Sequence, residues 1–185
     1  MGDYYSTTLL LRVKQHLATG GVIAYPTESC YGLGCDPFNY RAINKILQLK
    51  ARSPDKGLIV VASKISQLSK LLSDLPAEDA VQAYWPGRFT LVLPIKRQNV
   101  LPNLSGKHAG LAVRVSNQHY VKQLCDYLNA PLVSTSANSS GNISCKTYFE
   151  CVTHFGAEVL VLPGVIDYLR SPSTIIHWAT KQVLR

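Results

Sequence analysis

Apolar residues recur along the chain with two spacings, one helical and one extended, and the two alternate from end to end. Leu9, Leu10, Val13 and Leu17 share a helical face behind Ser6-Thr7-Thr8, hydroxyl residues suited to capping a helix start, and Gly20-Gly21 stops that helix. Val22 to Tyr25 reads as a short strand that ends at Pro26. Asn39 is placed to cap a second helix bearing Ile43, Ile46, Leu47 and Lys50. Leu58 to Ala62 has the unbroken apolar run of a buried strand. Ile65, Leu68 and Leu72 mark a third helix, and a fourth is expected over Ala77 to Tyr84. Thr90 to Ile95 and Leu111 to Val115 read as strands. A helix follows from Asn117 to Leu128, with Val121, Leu124, Cys125 and Leu128 on one face. Leu132 to Ser136 is a strand, Tyr148 to Phe155 a short helix, and Val159 to Leu162 and Thr174 to His177 close the series as strands.

No repeat, low-complexity tract or Pro/Ser/Gly linker interrupts this alternation. A chain of 185 residues suits one domain, 1–185, with a single sizeable core. The expected fold class is α/β (α+β): a twisted, mixed sheet flanked by helices.

Composition narrows the partners. Nineteen Lys and Arg against eleven Asp and Glu give a formal net charge of +8, which points to an anionic partner: nucleotide, nucleic acid or membrane surface. The five cysteines form no C-x-x-C pair, so free thiols in a reducing compartment are expected, rather than a disulfide framework or a zinc site. Residues 1–17 lack a signal-peptide pattern, and no stretch approaches the roughly 20 apolar residues of a membrane helix. A cytoplasmic protein without membrane contact is the expectation. G-x-S-x-G, H-E-x-x-H, Walker A and G-x-G-x-x-G motifs are absent, and the five histidines are scattered. Catalysis, where there is any, should rest on positioning and charge.

Four polar clusters interrupt the apolar strands. In Tyr25-Pro26-Thr27-Glu28-Ser29-Cys30-Tyr31-Gly32-Leu33-Gly34, an extended chain puts Tyr25, Thr27 and Ser29 on one side, and the glycines allow a ligand close to the backbone. A plain polar turn would look the same. In Lys50-Ala51-Arg52-Ser53-Pro54-Asp55-Lys56-Gly57, the proline ends a helix, and an extended exit lets Lys50 and Arg52 face one side as a phosphate clamp with Lys56 nearby. A solvated helix end is the alternative. In Val133 to Gly141, the side chains of Ser134, Ser136 and Asn138 alternate onto one face, suited to the polar edges of a small ligand. Arg170-Ser171-Pro172-Ser173-Thr174 sets a cation and hydroxyls at the mouth of the last strand.

Together and in this order, the clusters resemble the YrdC/Sua5 family of threonylcarbamoyl-AMP synthases. Its marks read here as Pro26-Thr27-Glu28-Ser29-Cys30-Tyr31-Gly32-Leu33-Gly34, Lys50-Ala51-Arg52, Ser136-Ala137-Asn138 and Pro172-Ser173-Thr174, with Trp85-Pro86-Gly87-Arg88-Phe89-Thr90 and Leu111-Ala112-Val113-Arg114-Val115 as further matches. Ser29, Cys30 and Arg88-Phe89 depart from the family's commoner residues. The length resembles the short bacterial form, TsaC.

The resemblance implies a large, basic concave cavity that binds ATP, L-threonine and bicarbonate. It implies a nucleotidyltransferase that releases pyrophosphate and makes the adenylate used for threonylcarbamoyladenosine at position 37 of tRNAs reading codons that begin with A. Mg²⁺ would accompany the nucleotide, with no metal held by the protein and no organic cofactor. Partner proteins of the tRNA-modification complex would receive the product, and contact with tRNA or double-stranded RNA fits the same picture. Residue by residue, Thr27, Tyr31, Arg114, Ser134 and Ser173 are expected at L-threonine; Lys50 and Arg52 at the phosphates and the carbamate as the catalytic pair; and Thr90, Ser136 and Asn138 at the nucleotide. An RNA-binding module acting in tRNA or rRNA maturation is the alternative, since the basic balance would suit a phosphate backbone.

Overall fold

The computed structural model describes residues 5–167 and 171–185. In chain order the elements are α1 (Thr7–Ala18), β1 (Ile23–Pro26), β2 (Tyr31–Gly34), α2 (Tyr40–Leu49), β3 (Ile59–Ala62), α3 (Glu78–Val81), β4 (Phe89–Pro94), α4 (Pro102–Ser105), β5 (Gly110–Val115), α5 (His119–Leu128), β6 (Leu132–Ser136), α6 (Tyr148–Phe155), β7 (Leu160–Val161) and β8 (Thr174–His177). The strands form one mixed sheet in the order β7-β1-β2-β6-β3-β5-β4-β8. β1–β7, β3–β5 and β4–β8 are parallel pairs; β1–β2, β2–β6, β3–β6 and β4–β5 are antiparallel.

The helices sit where their apolar faces demand. Ser6 caps α1 by accepting from Leu9 N, and Leu10, Val13 and Leu17 are buried. Asn39 caps α2 through Ala42 N, and Ala42, Ile43, Ile46 and Leu47 form its buried stripe. Thr147 and Glu150 close a capping box at α6. Each buried aliphatic side chain contributes about 1.5–3 kcal/mol of transfer free energy.

Strand alternation divides the core by face. Ala24, Leu33, Val60, Val113 and Val133 join α2 in one cluster. Ile23, Tyr25, Val61 and Leu132 join α1 and α5 in another. α1 and α5 cover only part of that second face. Where they stop, its outward positions become Ser134 on β6, Arg114 on β5 and Thr90 on β4, and a hollow opens over them.

Several expected elements differ. β2 is a full strand, not a turn, because both its edges are paired, to β1 and to β6. The expected third helix is a single tight turn at Ile65–Leu68; Leu68, Leu71 and Leu72 are still buried, but Leu72 bridges to Ile95 and the chain leaves the helical path. The fourth shortens to α3, while α4 was not anticipated. α5 starts at His119, capped by Gln118 rather than opening at Asn117.

Candidate functional site

The hollow has a volume of about 260 Å³ and gathers residues from every sequence cluster. The β1–β2 turn brings Thr27, whose Oγ1 donates to Cys30 O at 2.7 Å and closes the turn. Gly32 forms part of the floor: a Cβ there would lie 3.1 Å from Thr27 Cγ2 and 3.4 Å from Ser134 Oγ, so glycine keeps the space between two hydroxyl-bearing residues open. β6 brings Ser134 and Ser136. Thr90, fully buried on β4, donates its hydroxyl to Ser173 Oγ at 2.8 Å, tying the β4 wall to the entrance of β8.

Arg52 enters this cavity, but not by an extended exit. α2 ends at Leu49, Lys50 keeps helical torsions, and Ala51 turns the chain in the left-handed region at φ 46°. Arg52 N then closes onto Leu47 O at 2.9 Å. The left-handed step sends the two cations to different places. Arg52 reaches the cavity, with Nη2 donating to Gly57 O at 2.9 Å. Burial, then Arg185 nearby, pushes its pKa down. Lys50 runs behind the wall. Its ammonium is almost fully buried and donates to Ser136 O, to Asn138 O at 2.8 Å and to Asn138 Oδ1 at 2.9 Å. Burial, with Arg52 adding repulsion, lowers its pKa from 10.5 to about 8. Asn138 completes the brace by accepting from Ser136 Oγ at 2.6 Å and donating to Asn142 O at 2.7 Å. Lys50 and Asn138 therefore shape the strand end that carries Ser136, rather than lining the hollow themselves.

Two other expected residues are placed differently. Tyr31 is fully buried behind the sheet, and its hydroxyl donates to Gly164 O at 2.8 Å and Leu162 O at 3.3 Å. Lys56 borders an adjoining chamber of about 400 Å³ that shares Arg52, Leu58, Ile59 and Arg185 with the first. Arg170 lies outside the described residues.

Arg114 points into the cavity and is held on two sides: Nε donates to Gly87 O at 2.7 Å, and Nη2 to the carboxylate of Glu28. Glu28 also accepts from Ser116 Oγ at 2.9 Å, and Ser116 Oγ accepts from Gln118 N at 3.1 Å. Glu28, Ser116, Arg88, Ser144 and Arg185 line the cavity and were not expected there. A signal existed for two of them. Ser116, the residue just past β5, continues the alternation two positions after Arg114, and Glu28 is a charge set inside an apolar hairpin. Arg185 is brought in from far along the chain by the return of 183–185 along β8, where Ile175 N donates to Arg185 O at 3.0 Å.

The Sua5/YciO/YrdC family model, described as "Telomere recombination", matches residues 15–185. The chain belongs to this family. Its relatives include threonylcarbamoyl-AMP synthases from Chromobacterium violaceum, 47% identical over 94% of this chain and 91% of the relative, and from Saccharophagus degradans, 44% identical over 100% and 98%. Among solved structures, P. abyssi Sua5 complexed with L-threonine superposes with a TM-score of 0.86 at 27% identity, over 96% of this chain. This chain spans about half of that protein, 53% of its length. E. coli YciO shares the fold, with a TM-score of 0.83 at 23% identity, over 100% of this chain and 91% of YciO.

Proposed function

We propose that this Sua5/YciO/YrdC-family protein is a threonylcarbamoyl-AMP synthase, a nucleotidyltransferase that joins L-threonine, bicarbonate and ATP for tRNA threonylcarbamoyladenosine synthesis in the cytoplasm. The observation that carries the reading is the convergence of Arg52, Arg114 and the hydroxyls of Thr27, Ser134, Ser136 and Ser173 on one hollow. Relatives that bear this name at 42–48% identity support it. A concave wall of hydroxyls suits an amino acid held against a nucleotide better than the open stripe an RNA backbone needs.

The chemistry asks for positioning and charge. The threonine ammonium first gives up a proton to water; the neutral amine then attacks the carbon of bicarbonate-derived CO₂ and sheds a second proton, giving a carbamate. A carbamate oxygen then attacks the α-phosphorus, the bond to the β-phosphate oxygen breaks, and pyrophosphate leaves. Neither step needs a protein nucleophile. Arg52 offers a planar fork to phosphate oxygens, and the buried Lys50 ammonium adds positive charge from behind the Ser136 wall. Arg114 takes the substrate carboxylate, and Thr27 and Ser134 flank the Gly32 floor where the amino acid rests. A cavity that fixes both reactants gains its advantage from pre-set geometry.

Magnesium fits as the companion of the phosphates. Among the described residues no group of three or more His, Cys, Asp or Glu could cage a metal, and the carboxylate that borders the cavity, Glu28, is engaged by Arg114 and Ser116. Mg²⁺ is commonly held by substrate phosphates and water with few protein ligands, and it neutralises phosphate charge. Partner proteins of the tRNA-modification pathway would accept the adenylate. No described helix is long and apolar enough to cross a membrane.

The test is direct. Protein incubated with ATP, L-threonine and bicarbonate, then rapidly quenched, should yield threonylcarbamoyl-AMP by mass spectrometry with matching pyrophosphate. Pyrophosphate release independent of threonine, or no adenylate from protein that binds both substrates, would overturn the reading.

A further inference from the structure

The cavity wall holds an ion pair of which the reaction as outlined uses only Arg114. Glu28 and Arg114 are both nearly buried, at 8% and 11% side-chain exposure, and both border the hollow. Carrying two opposed charges into a protein interior is costly unless each is fully partnered, and replacement by apolar residues is often neutral or better. A pair of this kind at a ligand wall therefore calls for a ligand that uses it.

The pair is built for presentation. Arg114 is anchored through Nε on Gly87 O, and Gly87 N in turn donates to Val115 O at 2.8 Å, so the guanidinium plane is fixed to the β5 backbone. Glu28 is anchored through Oε1, which takes both Arg114 and Ser116; Ser116 is tied to the start of α5 through Gln118 N. Oε2 of Glu28 makes no hydrogen bond among the described residues. The wall thus offers a fixed cation beside a carboxylate with a spare oxygen, together neutral.

The geometry points to Glu28 and Arg114 as a receptor for a zwitterion, in which Glu28 receives the α-ammonium of the amino acid while Arg114 receives its carboxylate. This rests on the reading of the cavity as an amino-acid site, and adds the group that recognises the amine. An α-amino acid is itself a neutral pair of adjacent opposite charges. Its entry replaces one internal ion pair with two crossed ones and leaves no charge unpartnered. The polyphosphate is directed elsewhere by the same logic: Arg52 and Arg185 face the cavity with no carboxylate partner among the described residues, whereas the positive charge of Arg114 is already balanced.

The inference makes a crossed prediction that a merely structural role for Glu28 does not. Binding of L-threonine and of 3-hydroxybutyrate, which keeps the carboxylate and β-hydroxyl and lacks the ammonium, is measured by calorimetry on the purified wild type and on Glu28→Gln. In Glu28→Gln, L-threonine should weaken on the order of 10- to 100-fold, as for loss of a charged hydrogen bond. 3-Hydroxybutyrate should bind at least as tightly as to the wild type, because Arg114 no longer has an internal competitor. Glu28→Asp should recover part of the preference for threonine. If both ligands weaken together while ATP binding persists, Glu28 only positions Arg114 and the inference fails. If threonine affinity is unchanged, it fails as well. Absence of threonine binding to the wild type would instead refute the amino-acid site itself.

Discussion

Replacing Lys50 with methionine separates what the lysine does for the fold from what it does for the nucleotide. Methionine keeps an unbranched apolar stem and removes the ammonium. Three oxygens, Ser136 O, Asn138 O and Asn138 Oδ1, lose their donor. A hydrogen bond to a charged group is worth about 1.5–3 kcal/mol net, but the three share one ammonium and do not add. Relief of the desolvation that holds the Lys50 pKa near 8 offsets part of the loss. The net destabilisation of Lys50→Met is about 1–3 kcal/mol, a fall in Tm of about 2–12 °C for a domain of this size. The effect on ATP use should be larger in kind. Loss of one preorganised charge costs about 2–4 kcal/mol in the transition state, or roughly 30- to 900-fold in kcat/KM for ATP. Thermal unfolding and ATP-dependent pyrophosphate release, measured on the same preparation at a temperature where both proteins are folded, give the two numbers. A variant that loses thermal stability yet retains wild-type kcat/KM shows Lys50 to be a brace alone and refutes the electrostatic assignment.

Three further outcomes follow from the same geometry. Affinity for ATP should fall as pH rises through about 8, where Lys50 sheds its proton, and Lys50→Arg should remove that limb in calorimetric titrations; folding has the opposite sign, since between about 8 and the ordinary 10.5 the unfolded lysine holds a proton that the folded one has lost, so this group's contribution to stability rises with pH there. Gly32→Ala places a methyl 3.1 Å from Thr27 Cγ2 and 3.4 Å from Ser134 Oγ, and should raise KM for threonine roughly 10- to 100-fold while unfolding free energy changes by no more than about 1 kcal/mol; an unchanged KM would show that the amino acid rests elsewhere. Tyr31→Phe withdraws the donor from Gly164 O and Leu162 O and should cost about 1–2 kcal/mol of stability with KM for threonine unaltered, whereas a raised KM in a stable variant would put the ring in contact with substrate after all.

The long helices were legible because their signals are local. The Ser6 and Asn39 caps and the apolar spacing of α1 and α2 sit within a few residues of each other. β2 was not, because Tyr31-Gly32-Leu33-Gly34 has no β-branched residue; its strand character comes from pairing with β1 on one edge and, on the other, with β6 more than a hundred residues away. The turn at 65–68 carries helical spacing and buries Leu68, but the Leu72–Ile95 bridge draws the chain off the helical path, and α3 keeps only 78–81, with Val81 buried. The site divides in the same way. Thr27, Ser134 and Ser136 could be found because polar residues at strand ends stand out against apolar runs, Arg52 because it is paired with Lys50 at a helix end, and Arg114 only through the family resemblance. The placement of Lys50 behind the wall and of Tyr31 behind the sheet depends on the left-handed Ala51 and on the 162–164 segment, neither visible in local spacing. Glu28 could be seen as a charge, but its pairing with Arg114 is a contact across 86 residues.

β6 changes partners along its length: Leu132, Val133 and Ser134 pair with β3, while Thr135 and Ser136 pair with β2. Both halves of the sheet thus meet only through a strand made late in synthesis, and joining them closes loops of about a hundred and about seventy residues, among the slowest steps available to a folding chain. A nascent polypeptide whose β6 is still inside the ribosome tunnel can form the β1–β2 hairpin and α2, yet owns no substrate wall. Catalytic competence arrives all at once, after most of the protein has been made, so a half-finished molecule has no means of adenylating anything.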